Sequence, residues 1–254
     1  MTRATDSSLR RDFQVEGFVS IPAFIGSPSM VVLNENLTRF IRDIVPTLPP
    51  EQAFYEDKRR PETLKQIQSL HEHDDYFAKL FVGGAFEKLA ASLLHERVVG
   101  KNLQYFNKPP GVGQPTPPHQ DGYYFNLDPP EAVTMWLALD EVDQENGCVR
   151  YVRGSHRWGM RPHARTQVLG FSQGISDYGQ PEDSANEIAF PAHPGDLLAH
   201  HALTIHRADG NVSSSRSRRS LGFVYFAASA REDSAAAAQY QKRLKQELLA
   251  TNRI

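Results

Sequence analysis

Residues 117–125 read Pro-Pro-His-Gln-Asp-Gly-Tyr-Tyr-Phe. If a strand opens here, side chains at i and i+2 share one face. His119 and Asp121 then converge on one point, Tyr123 continues that face as either a pocket-wall residue or a plain core aromatic, and Tyr124 turns to the other. An imidazole and a carboxylate on one face suit a divalent metal. The pair alone is weak evidence. With 10 histidines and 15 aspartates in 254 residues, usage alone gives about 0.6 His-x-Asp pairs. Its meaning depends on what else joins it.

The length allows one domain with a sizeable core. Net charge is −2, with 23% charged residues, so no basic excess points to nucleic acid or an anionic membrane surface. One cysteine, Cys148, excludes an intramolecular disulfide and a cysteine-rich zinc site. The opening 17 residues lack the apolar run of a secretory signal. No stretch of about 18 apolar residues is present. These features describe a soluble, cytoplasmic, globular protein.

The first third reads as helical. Ser27-Pro28 marks a helix start with Ser27 as the cap. Met30, Leu33, Leu37, Phe40, Ile41 and Ile44 follow at helical spacing, and Pro46 ends the run. A second helical region spans 73–95, interrupted at Gly83-Gly84. From Val98 onward the pattern is of strands: 98–107, 119–125, 132–139, 148–152, 196–206 and 220–228. Pro109-Pro110-Gly111, Asp128-Pro129-Pro130, Glu145-Asn146-Gly147, Pro194-Gly195-Asp196 and Asp209-Gly210-Asn211 punctuate them. Many short strands separated by turns predict a sandwich or barrel. Residues 157–194 are weakly patterned, as in a long functional loop or lid. Residues 233–249 read as a closing helix.

A second His-x-Asp, His73-Asp74-Asp75, falls at a helix start, where aspartate satisfies free backbone donors. It reads as a helix cap; a His-Asp metal hydrolase is a distant alternative. For His119 and Asp121 a third ligand is needed, and His200, His201 and His206 all lie on or at the end of expected strands. Each alone reads first as a hydrogen-bonded strand histidine. Arg216, Arg218 and Arg219 then lead into an apolar strand, where one guanidinium could grip a carboxylate with two hydrogen bonds.

The order His119-x-Asp121, His206 and an arginine 12 residues on resembles the iron(II)/2-oxoglutarate dioxygenases of the phytanoyl-CoA dioxygenase superfamily. The blocks NKPPG (107–111), PHQDGYYF (118–125), MWLALDEVDQENGC (135–148), GSHRWG (154–159) and PGD (194–196) stand in family order. The resemblance spans roughly residues 10–230. It implies a mainly β, α+β fold built on a double-stranded β-helix, a cupin-like jelly roll. The expected organisation is a single domain over 1–254: a mostly helical flank (1–97), the jelly-roll core (98–230) with its lid (157–194), and a C-terminal helix (231–254).

The resemblance implies His119, Asp121 and His206 as the catalytic iron(II) ligands, with O₂ and the cosubstrate 2-oxoglutarate completing the reaction. Arg218 matches the arginine that binds the far carboxylate of 2-oxoglutarate. Arg219 is its rival, because the spacing from His206 is one residue longer than usual. Trp136 matches a tryptophan beside the cosubstrate, and Gln104 a contacting methionine. Gln66 replaces a lysine, Ala208 a small hydroxyl residue, and Arg153 a proline.

The expected activity is hydroxylation of an unactivated C–H bond in a small molecule. The carboxylate at Asp121 agrees, since related halogenases carry Gly or Ala there. The alternative is a catalytically silent, metal-binding jelly-roll protein. Arg150, Arg153, Arg157, Arg161, His163 and Arg165 crowd one stretch. They suit an anionic substrate (a carboxylate, phosphonate or CoA ester), or a rim balanced by Asp140, Glu141, Asp143 and Glu145.

Overall fold

The computed structural model describes residues 6–250. Helix α1 (Asp6–Glu16) and strand β1 (Phe18–Ile21) precede the long helix α2 (Ser27–Asp43). Strands β2 (Ala53–Tyr55) and β3 (Leu64–Ile67) lead to helices α3 (Leu70–His73), α4 (Asp75–Phe81) and α5 (Ala85–Leu94). Next come β4 (Val98–Lys108), β5 (Thr116–His119), the single turn α6 (Gly122–Phe125), β6 (Leu127–Asp128), β7 (Ala132–Ala138) and β8 (Val149–Val152). A hairpin of β9 (His163–Val168) and β10 (Phe171–Ile175) precedes α7 (Pro181–Asn186) and β11 (Glu187–Phe190). The chain closes with β12 (Leu197–His201), β13 (His206–Ala208), β14 (Arg218–Ala227), β15 (Arg231–Glu232) and α8 (Ser234–Ala250).

Two antiparallel sheets form the barrel. The larger has the order β1-β12-β7-β14-β4-β3-β2, and the smaller β11-β8-β13-β5. Strand alternation then sorts the large sheet into two faces. Val133, Met135 and Leu137 of β7, and Leu221, Phe223 and Tyr225 of β14, pack outward with α2, α4 and α5 residues in the main core. Phe86 stacks on Phe223 at 3.8 Å between centroids. Burying side chains of this size contributes about 1.5–3 kcal/mol each. The intervening residues face the barrel interior, where Trp136, Leu198 and Tyr151 belong to a second, smaller core. Gln104, Arg218 and His200 line the interior on the same parity.

Helix α2 follows from its sequence: Pro28 occupies its first turn, and Met30, Leu33, Leu37 and Phe40 are its buried stripe. Its cap is Gly26 rather than Ser27. Asp74 caps α4, accepting from the Tyr76 and Phe77 backbone N–H groups while Arg39 donates to it at 2.7 Å. No helix among the described residues is long and apolar enough to cross a membrane.

Further expectations are corrected. Residues 119–125 are not a strand: β5 ends at His119 and the backbone coils into α6. Residues 157–194 are not a structureless loop, because they hold the β9–β10 hairpin, α7 and β11. The long apolar run 196–206 breaks into two strands in different sheets, β12 and β13. The helical first third also supplies β1, β2 and β3 to the large sheet.

Candidate active site

His119 ends β5, and its register partner on β13 is His206. Asp121 sits two residues later with φ −59° and ψ −34°. The turn, rather than a shared strand face, brings its carboxylate back over both imidazoles. Asp121 Oδ1 lies 3.4 Å from His119 Nε2 and 3.7 Å from His206 Nε2. One ligand atom from each of the three side chains falls within 4.8 Å of the others. Neighbouring ligands about 2.1 Å from one metal lie roughly 3 Å apart at right angles, so the spacing is near that of a loaded site.

Backbone carbonyls fix the ring orientations. His119 Nδ1 lies 2.8 Å from Pro117 O, and His206 Nδ1 3.0 Å from Thr204 O. With Nδ1–H donating, each Nε2 keeps its lone pair for a metal. Burial, with His119 and His200 nearby, pushes the His206 imidazole well below its ordinary pKa, so it is neutral. Burial opposes ionisation of Asp121, but His206, His119 and His200 outweigh it and hold the carboxyl well below its ordinary value. Two imidazole nitrogens and one carboxylate are the donor set that suits a divalent first-row metal with open positions.

His200, weighed from the sequence only as a possible third ligand, and Thr134, which the sequence did not single out, both hold Asp121. Thr134 Oγ1 donates to Asp121 Oδ2 at 2.6 Å, and His200 Nε2 lies 3.1 Å from the same oxygen. The other His200 nitrogen meets Tyr151 Oη at 2.9 Å. His201, one residue on, faces away toward Glu131 at 3.3 Å. Alternation along β12 was the available signal; which parity faces inward required the sheet register.

Behind the histidines lies a cavity of roughly 120 Å³, lined among others by Trp136, Gln104, Lys108 and Arg218. Arg218 is 4% exposed. Its Nε donates to Gly147 O at 3.0 Å, and its guanidinium lies 5.3 Å from the Trp136 ring centroid. Among the described residues no acidic side chain pairs with it. Burial lowers it to about 10, so it stays charged at neutral pH. Arg219 points the other way and grips Asp140, with Nη2–Oδ1 at 2.6 Å. Arg216 pairs with Asp143 and Glu145. Lys108, directly across from Arg218 in the strand pair, is 5% exposed and donates to Gln114 O. Burial, then Arg218 and Lys65, drives its pKa well down. Burial and the Arg218 guanidinium opposite both disfavour a charged Lys108 unless an anion joins them.

Gln104 and Gln66 are hydrogen-bonded to each other at 3.0 Å in the cavity wall, and Ala208 lies nearby. Gly222 stands opposite both Gln104 and Trp136 in register. A Cβ there would come within 2.8 Å of Phe106. Tyr123 is not a wall residue: it is 37% exposed and stacks on His163. Tyr124 instead lines a second, outer chamber.

The arginine-rich stretch is neutralised from elsewhere. Arg150 pairs with Asp209 and Glu187, Arg161 with Asp177 and Asp183, and Arg165 with Glu247. Arg153 pairs with Glu16 at 2.9 Å, and Gly154 N donates to Glu16 O. The arginine that replaces a proline thus ties α1 to the barrel.

A jelly-roll barrel with two imidazoles, a carboxylate and a buried unpaired guanidinium in one cavity defines a class of non-haem metal proteins. The chain belongs to the phytanoyl-CoA dioxygenase (PhyH) family, whose description matches residues 13–220. It is 33% identical over 183 residues to phytanoyl-CoA dioxygenase of Arabidopsis thaliana, covering 68% of this chain and 63% of that protein. Phytanoyl-CoA dioxygenase 1 of Oryza sativa subsp. japonica is 32% identical over 146 residues, 57% of this chain and 51% of that one. The matched region thus spans only about half to two-thirds of these relatives. In fold the chain is similar to the epimerase SnoN, solved with Fe³⁺, alpha ketoglutarate and nogalamycin RO. The TM-score is 0.70 at 21% identity, over 89% of this chain and 85% of that one.

Proposed function

We propose that this protein is an iron(II)- and 2-oxoglutarate-dependent dioxygenase that oxidises a C–H bond of a small molecule, with hydroxylation as the outcome. The observation that carries the reading is the joint placement of His119, Asp121 and His206 with Arg218 in one cavity. A metal alone would explain the triad. It would not explain a buried guanidinium left without a carboxylate, which a dicarboxylate cosubstrate satisfies. Membership of the family supports the same reading, as does a neighbour of the same fold that holds iron and alpha ketoglutarate.

His119 Nε2, His206 Nε2 and Asp121 Oδ1 hold the metal. Thr134 and His200 occupy the second oxygen of Asp121, which favours ligation through Oδ1 and leaves the remaining positions open. Arg218 takes the far carboxylate of 2-oxoglutarate, with Trp136 and Gln104 as walls that keep water out. When bound, the metal and cosubstrate supply the oxidising power, consuming O₂ and releasing succinate and CO₂. Anaerobic iron(II) and 2-oxoglutarate are expected to give a weak visible metal-to-ligand band, and succinate release in air reports turnover. Absence of the band sinks the oxygenase reading; a band without succinate across a broad substrate screen favours the silent binding protein.

A further inference from the structure

Beyond Asp121 the barrel opens into an outer chamber of roughly 530 Å³, which shares His119, Asp121 and Phe125 with the inner cavity. Its size is that of sites for drug-sized molecules. Helix α8 roofs it. Ala237, Tyr240 and Leu244 line the chamber at i, i+3 and i+7, a single helix face. The roof is tied down by contacts of Tyr240 with Ser172, Lys245 with Glu51, and Glu247 with Arg165.

The rest of the wall combines apolar and aromatic side chains, with Phe54, Tyr124, Leu169, Phe171 and Phe226 facing in, and polar ones from β3, β4 and the β9–β10 hairpin. Apart from the metal-site residues, its charged groups are Glu51, Lys101, Arg165 and Glu232. Each has an opposite charge: Lys101 and Glu232 lie 2.6 Å apart, and the other two are bound to α8. Part of the polar wall is closed on itself. Asn102 donates to Gln68 at 2.8 Å and Gln66 to Gln104; Tyr124 Oη donates to Gln173 O at 2.8 Å. Gln66 Oε1 has no partner among the described residues, and Gly170 packs against it.

We infer that this chamber admits a neutral, predominantly apolar organic molecule and selects against carboxylates and phosphates. The inference rests on the oxygenase reading, since it names the substrate class of that site. An anion entering here would shed water and find each cation already paired, so it would gain less than at a free cation. An apolar body loses little on entry and gains contact with the aromatic wall.

The test uses the full chain loaded with manganese(II) and 2-oxoglutarate, which keeps the site assembled without turnover. Biphenyl-4-ol and biphenyl-4-carboxylate, equal in body and different in charge, are titrated by calorimetry. The phenol is expected to bind at least tenfold more tightly. Ala237→Arg and Leu244→Arg, which place a charge under the roof, are expected to weaken phenol binding at least tenfold and leave 2-oxoglutarate affinity unchanged. Equal or tighter binding of the carboxylate, no binding of either biphenyl, or unchanged phenol affinity in both variants overturns the inference. Titration of 2-oxoglutarate into the same manganese form tests the oxygenase reading separately: if it does not bind, that reading fails whatever the biphenyls do.

Discussion

His200 Nε2 lies 3.1 Å from Asp121 Oδ2, the carboxylate oxygen other than the one nearest His119 and His206. One oxygen is thus held by protein while the other is offered to a metal. Groups that orient a ligand commonly change metal affinity 10–100-fold when removed. His200→Ala and Thr134→Val are each expected to weaken manganese(II) binding about tenfold. His119→Ala, Asp121→Ala and His206→Ala are expected to abolish it, and His201→Ala to leave it intact. Competition with a chelator of known affinity reads all six. Loss of binding with His201→Ala and retention with His206→Ala would reverse the assignment on β12 and β13.

Arg218 and Arg219 are neighbours with opposite fates. Arg218 faces the cavity without a carboxylate, and Arg219 is already bound to Asp140. Removing one partner of a buried charge pair costs on the order of 3–5 kcal/mol. At about 1.4 kcal/mol per decade, Arg218→Ala is expected to weaken 2-oxoglutarate binding roughly a hundredfold or more. Arg218→Lys recovers only part, because an ammonium lacks the planar fork. Arg219→Ala changes affinity less than about threefold, a margin well under one decade. Calorimetry on the manganese form decides, and a large loss confined to Arg219→Ala would reverse the two roles.

Gly222 keeps the cosubstrate cavity open between Gln104 and Trp136. A methyl group there would press on the Phe106 ring, 2.8 Å away. Overpacking of this kind costs about 1–3 kcal/mol. Gly222→Ala is therefore expected to reduce 2-oxoglutarate affinity about tenfold, equivalent to about 1.4 kcal/mol, with metal affinity unchanged. Equal affinity in variant and parent would place the cosubstrate away from this wall.

The second His-x-Asp is structural. Asp74 caps α4 and holds Arg39. Asp74→Ala is expected to lower stability by about 0.5–2 kcal/mol, the range for a lost N-cap. Denaturant unfolding measures it, and 2-oxoglutarate affinity should not move. A loss of metal binding without a loss of stability would revive a hydrolase-type site at His73 and Asp74.

Much of the site was legible from residue order. His119, Asp121, His206 and the choice between two arginines came from short motifs in a fixed sequence. Strands β4, β7, β8 and β14 followed from local apolar patterning, because period and turn residues are properties of neighbouring positions. The convergence of His119 and Asp121 was also expected, but for the wrong reason. A strand face was invoked where the chain turns, since Gly-Tyr-Tyr-Phe has the β-favouring aromatics of a strand and no helical period over only four residues.

What the sequence by itself determined, then, is the set of ligand types and the sheet-forming segments that carry them. Tertiary structure decided which face of each strand looks inward, and hence that Arg218 rather than Arg219 enters the cavity and that His200 supports Asp121. It also decided the charge state of the surroundings. Arg153 finds Glu16 at 137 residues' separation, and Lys101 finds Glu232 at 131. Pairings at that range leave no trace in local composition, so an arginine-rich stretch that reads equally as an anion site or a balanced rim turns out to hold mostly ion-paired arginines. The physical reason is that a charge's availability depends on what the fold brings within about 4 Å of it, and only long-range packing sets that.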